Sequence, residues 1–165
     1  MIEKTVVKVL VPAGALGIPY DRDALARGLT HKPDLIAIDG GSTDSGPFYL
    51  GTGTSKYSRS STKSDWGELM AARAKIGVPL LIGTAGTCGT NSTVDWLVDI
   101  TKEIASERHE TLTIAVLKSD QSAANINGSA ALGRMHPLEG APAITSEIIE
   151  DCTNIVALAG AEQIQ

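Results

Sequence analysis

No block of Lys or Arg occurs in this chain, and its 14 basic residues against 19 acidic ones leave a net charge of −5. A row of phosphates would meet no row of cations, which argues against nucleic acid as a partner. Long hydrophobic runs are missing too. The apolar stretch within MIEKTVVKVLVPAG is only a few residues long and carries Lys8 inside it. It offers neither a secretory core nor a spanning helix, so no membrane association and a cytoplasmic location are expected. Cysteine is scarce: Cys88 and Cys152 lie far apart without metal-type spacing, and in the cytoplasm free thiols are favoured over a disulfide. His31, His109 and His136 are scattered with no pair at helical spacing, and read as surface or turn residues. Low-complexity composition is absent as well, with 42% hydrophobic and 20% charged residues.

A chain of 165 residues fits a single domain, 1–165, with a real core. Five short apolar runs read as strands: TVVKVLV at 5–11, DLIAID at 34–39, VPLLIG at 78–83, TLTIAVL at 111–117 and TNIVALAG at 153–160. Several are apolar on both faces, as strands covered on both sides of a parallel sheet must be. Helical segments lie between them: DRDALARGL with Asp21 as a cap, a stretch from Ser64 and Asp65 to Gly77, and NSTVDWLVDITKEIASE from Asn91, with Trp96 and Ile100 toward the core. Weaker helical patterns cover 119–133 and 144–151. The alternation predicts an α/β fold, a three-layer doubly wound domain of the Rossmann or flavodoxin kind with a mainly parallel sheet of about five strands. Right-handed crossovers then gather the strand-to-helix loops at the carboxyl edge of the sheet, where such folds bind ligands.

One connection is out of proportion. Residues 39–62 hold 24 residues, five Gly and ten Ser or Thr among them, where loops of this kind usually take about 2 to 6. It is either functional or a flexible insertion; PFYL at 47–50 and Tyr57 could anchor it by apolar packing. Asp39 and Asp44 stand five apart in DGGSTD at the tip of the second strand. Two carboxylates there can divide acid and base roles or hold a divalent cation, and they also suit ordinary turn chemistry. Downstream, Lys56, Arg59 and Lys63 are spaced three and four apart, able to clamp a small anionic substrate or simply to form a solvated face. The loop GTAGTCGTNST, 83–93, leads from the third strand into a helix. Gly83, Gly86 and Gly89 allow close backbone approach, and the helix start presents unpaired N–H groups, an anion site in outline. It is neither a Walker loop nor a dinucleotide fingerprint. Cys88 within it is a conceivable nucleophile or a packing residue. Gly14 and Gly17 complete the rim after the first strand.

The stretch PDLIAIDGGSTDSGPFYLGTGTSKYSRSSTKSDW, followed by GVPLLIGTAGTCGT, resembles the N-terminal part of the acyclic terpene utilisation, AtuA-like, family. By motif, Asp39, Gly41, Ser42, Thr43, Asp44, Gly46 and Pro47 match its most specific part. Ser55, Arg59 and Lys63 match the Ser, Arg and Lys that follow, and Gly83, Ala85 and Gly86 match the second glycine loop. The resemblance implies a multi-layer α/β fold acting in the catabolism of branched or terpenoid carboxylic acids. The expected activity is that of a lyase of the hydratase–dehydratase type or an isomerase, acting on small or branched carboxylic acids or their acyl-CoA esters. Asp39 and Asp44 are the catalytic candidates; Gly41, Ser42, Thr43, Ser55, Arg59, Lys63 and the run Gly83, Thr84, Ala85, Gly86, Thr87, Cys88 would hold the substrate. Members of the family are considerably longer, so a second polypeptide or self-association is expected, the chain being either naturally split or one piece of a longer protein. A non-catalytic binding or scaffolding subunit, and a nucleotide-binding domain with Asp39 on a ribose, are the alternatives.

Overall fold

The structure, a computed structural model, describes residues 6–41 and 47–164. It is a mixed α/β chain whose sheet has three parallel strands, β1 (Val9–Leu10), β2 (Leu35–Asp39) and β3 (Leu80–Gly83), in that order. Val9 pairs with Leu35 and Leu10 with Ile36, while Ile36 to Asp39 pair with Leu80 to Gly83. Strands laid side by side in chain order with right-handed crossovers send their connecting helices to the same face. Packing agrees with this. In α1 (Arg22–Thr30), a Cβ at Gly28 would lie 2.7 Å from Leu10 Cδ1, and α3 (Arg59–Ile76) contacts both β2 and β3. The alternation along each strand then turns Leu10, Ile36, Ile38, Leu80 and Ile82 toward the helices, and Val9, Leu35, Ala37 and Leu81 to the opposite face.

Most of the core lies between the sheet, α3 and α4 (Asn91–Glu107). Ile38 from β2, Trp66, Leu69 and Met70 from α3, and Leu97, Ile100 and Ile104 from α4 are all buried together. Trp66 Nε1 donates to Thr101 Oγ1 at 2.8 Å and the Thr101 hydroxyl donates in turn to Leu97 O. The one polar atom that the indole brings inside is thereby satisfied.

Local chemistry sets the helix ends. Asp21 caps α1 as expected, accepting from the Asp23 and Ala24 amides. α3 begins five residues earlier than the Ser64–Asp65 region suggested, because Ser58 accepts the Ser61 amide and starts the helix at Arg59; it ends at Gly77 in the left-handed region, φ 69°. α4 is capped by Thr90, with Asn91 its first helical residue. The long 39–62 connection is partly taken up by this early start and by α2 (Pro47–Thr52). PFYL is not its anchor: Phe48 is 64% exposed. Asn154 holds α2 instead, donating to Leu50 O and Gly51 O, and Tyr57 lays its ring against Gly17.

The five-strand sheet is not what the described residues form. Residues 111–117 and 153–160 join no ladder; Val156 of the second run makes one antiparallel bridge, with Asp120, flanked by the bonds Gln121 N–H to Ile155 O and Ala157 N–H to Ser119 O. Apolar alternation measures how well side chains would pack on a pleated surface, and it makes a strand only where another strand's edge is paired with it. The helical patterns of this half do form, as α5 (Ala123–Ala131) and α6 (Ser146–Asp151), packed on each other. Among the described residues no helix is long and apolar enough to cross a membrane.

Candidate functional site

The carboxyl ends of β2 and β3 meet in two interlocked loops. Asp39, the last residue of β2, directs Oδ1 at both the Gly41 amide (2.9 Å) and the Thr84 hydroxyl (2.8 Å). Gly40 N–H donates to Gly83 O and Thr87 N–H to Gly40 O, so the two chains run in backbone contact. Neither glycine has room for a side chain: a Cβ at Gly40 would lie 2.6 Å from two carbonyl oxygens, and one at Gly41 2.7 Å from Thr87 Cα. Asp39 remains solvent-exposed at this junction, a carboxylate fixed in direction yet reachable.

The loop after β3 is strained. Thr84 and Thr87 have φ of 48° and 81°, a region that β-branched residues occupy only when their surroundings force it. Thr87 is buried, and its hydroxyl accepts the Lys56 amide at 3.0 Å and lies 3.4 Å from Ser55 Oγ. It thereby ties the 53–58 segment to the sheet edge.

On the far side of that tie lies a pocket of about 340 Å³, lined among others by Ser55, Tyr57, Arg59, Ser92, Thr93 and Trp96. Ser55 and Arg59 of the expected binding set therefore share one cavity, while Asp39, Gly41 and the 83–88 loop form the neighbouring rim. Lys63 stands apart, on the seam between α3 and α4. There Lys63 binds Glu103 and Glu107, and Arg59 binds Glu103 at 2.6 Å. The bonds from Lys63 and Arg59 hold the Glu103 carboxyl below its ordinary range, and those from Glu103 and Glu107 hold Lys63 above its own. Arg59 and Lys63 share one helix face as their spacing implied, but that face is matched by acids of α4.

Cys88 is buried with Sγ 3.7 and 3.6 Å from the Thr90 and Thr93 hydroxyls, in the packed base of the loop. That position suits packing rather than attack on a substrate. Ser42, Thr43 and Asp44, with Gly46 beside them, lie outside the described residues, so the Asp39–Asp44 pairing and any metal between them do too. Among the described residues no three His, Cys, Asp or Glu side chains are grouped to hold a metal ion.

Two features escaped the sequence reading. The start of α4, expected to meet a substrate anion, meets Asp120, whose two carboxylate oxygens sit 3.1 and 3.0 Å from the Asn91 amide. The second is a cluster under the first loop. Arg22 forks onto Glu68, with Nη2 to Oε1 at 2.6 Å, and the Tyr20 hydroxyl donates to the same carboxylate at 3.0 Å. Arg22 holds the Glu68 carboxyl below its ordinary range, whereas burial pushes Asp65 and Tyr20 up, helped by the Glu68 charge for Asp65 and by the hydrogen bond to Glu68 for Tyr20. The signal for this cluster was present as Asp65 and Glu68, one turn apart on a helix, but their partners come from more than forty residues away.

Comparison with protein families, with curated proteins and with solved structures finds no match to this chain.

Proposed function

We propose that the chain is a subunit or domain of an enzyme of small or branched carboxylic acid catabolism, a lyase of the hydratase–dehydratase type or an isomerase, working at the carboxyl edge of the sheet. The resemblance of its DGGSTDSGP stretch to the AtuA-like family supplies the substrate class. The observation that carries the site is Asp39: an exposed carboxylate aimed by Thr84, beside a loop holding two β-branched residues at positive φ. Backbone strain of this kind costs roughly 1–3 kcal/mol per residue and persists where the surroundings over-determine it, commonly at sites that bind or react. In this reading Asp39 moves a proton to or from the carbon next to the substrate carboxylate, and the 83–88 loop and Ser55 hold the substrate.

Turnover of a panel of small carboxylic acids and their CoA thioesters, followed by NMR for water addition or double-bond migration, tests the proposal. Asp39→Asn keeps the acceptor oxygen for Gly41 and Thr84 and should lower kcat at least about 100-fold, the usual scale of one general acid–base group, with the melting temperature held. Unchanged turnover in that variant removes Asp39 from the chemistry.

A second reading, a non-catalytic subunit that completes a partner's site, draws on a different observation. Arg59 and Lys63, two of the three cations expected to clamp an anion, are matched by Glu103 and Glu107, and Asp120 fills the start of α4. It predicts no turnover by the purified chain and binding only in the presence of a second polypeptide.

The larger five-stranded, three-layer fold belongs to the same proposal. Residues 110–120 are held at both ends: Glu110 N–H donates to Ala105 O of α4 and its carboxylate binds Arg73 of α3 at 2.6 Å, while Lys118 binds Asp95 of α4 at 2.7 Å and Asp120 accepts from the Asn91 amide. In this proposal 111–117 is the return leg of a strand–helix–strand unit; its course antiparallel to α4 supports that reading, while among the described residues it pairs with no strand.

A further inference from the structure

The open edge of β1 carries a pattern that matches itself. β1 is the first strand of the sheet, and no described strand pairs with its outer side. Lys8 turns its carbonyl toward the Asp34 amide on the β2 side. Backbone groups alternate in direction along a strand, so the N–H and C=O of Val9 point to the open side. Natural edges are commonly guarded by charge, proline or a bulge facing outward. β1 itself covers only Val9–Leu10; carrying its alternation to the flanking residues puts Val7, Val9 and Val11, exposed by 65%, 50% and 58%, on one face, and the lone charge of the run, Lys8, on the other with Leu10 and the equally exposed Val6.

We infer that this edge is a homodimer interface in which two copies of the chain pair antiparallel about Val9. A twofold axis through Val9 sets Val9 opposite Val9 of the second copy, Val7 opposite Val11 and Val11 opposite Val7. Every facing pair on that side is then β-branched, the cross-strand combination that pleated surfaces favour. The same axis sets each Lys8 opposite a Leu10, so the two ammonium groups never face each other. Moving the axis to Lys8 would oppose two like charges and offer backbone groups already turned toward β2. The occupant is thus specified by register and charge, and the interface is isologous, as closed dimers require. Pairing joins two three-stranded sheets into a continuous six-stranded one and leaves Asp39 untouched at the carboxyl edge, so the inference stands or falls apart from the enzymatic reading.

The test is sedimentation equilibrium of the full chain and two variants, with amide exchange at Val9. A dimer is expected, with the Val9 amide slowed as concentration rises. Val9→Pro removes an outward N–H without touching the bonds to β2, and should give a folded monomer by circular dichroism. Val9→Lys sets two ammonium groups face to face and should weaken the dimer at least about 10-fold, partly recovered by added salt; it serves if the proline variant misfolds. A wild-type monomer across the concentration range overturns the inference. So does a dimer that withstands Val9→Lys, since its contact then lies elsewhere.

Discussion

Residues up to Glu107 and residues beyond it are nearly equal in their supply of apolar runs and very unequal in what they bury. Among the described residues every buried apolar residue lies between Ala15 and Ala105 except Ile149. TLTIAVL and TNIVALAG, which read like VPLLIG, leave Ile114, Val116 and Leu117 at least 40% exposed and Leu158 97% exposed. The difference is one of neighbours. VPLLIG finds the edge of β2 on one side and α3 above it, whereas the later runs have no ladder to join. Apolar sequence is a capacity for burial, and topology decides whether it is used.

The sharpest way to break that comparison is to truncate side chains on both sides of it. Leu69→Ala and Ile100→Ala each empty a site with no solvent exposure and should cost about 2–5 kcal/mol in urea unfolding. Leu158→Ala should stay within about 0.5 kcal/mol. A cost for Leu158→Ala equal to that of Leu69→Ala would mean that the second half has a packed core of its own in solution.

Glycines sharpen the contrast at smaller scale. Gly86 and Gly140 have φ of 67° and 77°, but a Cβ at Gly86 would lie 2.6 Å from Thr93 Cβ, while one at Gly140 would meet nothing within 4 Å. Both alanine variants bear the left-handed cost of about 1–2 kcal/mol. Gly86→Ala adds an overlap with α4 worth about 1–3 kcal/mol more. Equal melting temperatures for the two would mean that the loop after β3 is looser than its contacts.

What could be read from the sequence follows the same division. β2 and β3 were legible because their apolar runs end in turn residues, and α4 because its apolar positions repeat at helical spacing. Asp39 at the sheet's carboxyl edge followed from topology alone. Ser58 was one hydroxyl among many in SKYSRSSTKS, so the true cap of α3 had no distinguishing mark. Thr87 at φ 81° contradicts the preference of a β-branched residue, and only the contacts with Lys56 and Gly40 explain it. Glu103 and Glu107 beside Arg59 and Lys63, and Asp120 at the start of α4, come from 29 to 44 residues away, a separation at which spacing carries no information.

The smallest effect concerns two carboxylates one turn apart in the ordered half. Glu68 receives Arg22 and Tyr20, while Asp65, partly buried, receives the Gly17 amide and lies in the field of Glu68. Asp65 is therefore harder to ionise in the folded chain than in the unfolded one, and its charge opposes folding. That penalty is fully present above its raised pKa and vanishes as pH falls below the unfolded value, about 3.9. Glu68 has the opposite sign: its depressed pKa stabilises the fold above the unfolded value, about 4.3, and the benefit is lost as pH falls through the folded one. Asp65→Asn, which keeps an acceptor for Gly17, should accordingly raise the urea midpoint at pH 7. Glu68→Gln should lower it, and both differences should fade on acidification. Both groups keep access to solvent, so the shifts will be modest. A lowered midpoint for Asp65→Asn at neutral pH would show that the Asp65 charge is held by a favourable contact stronger than its burial and its repulsion by Glu68.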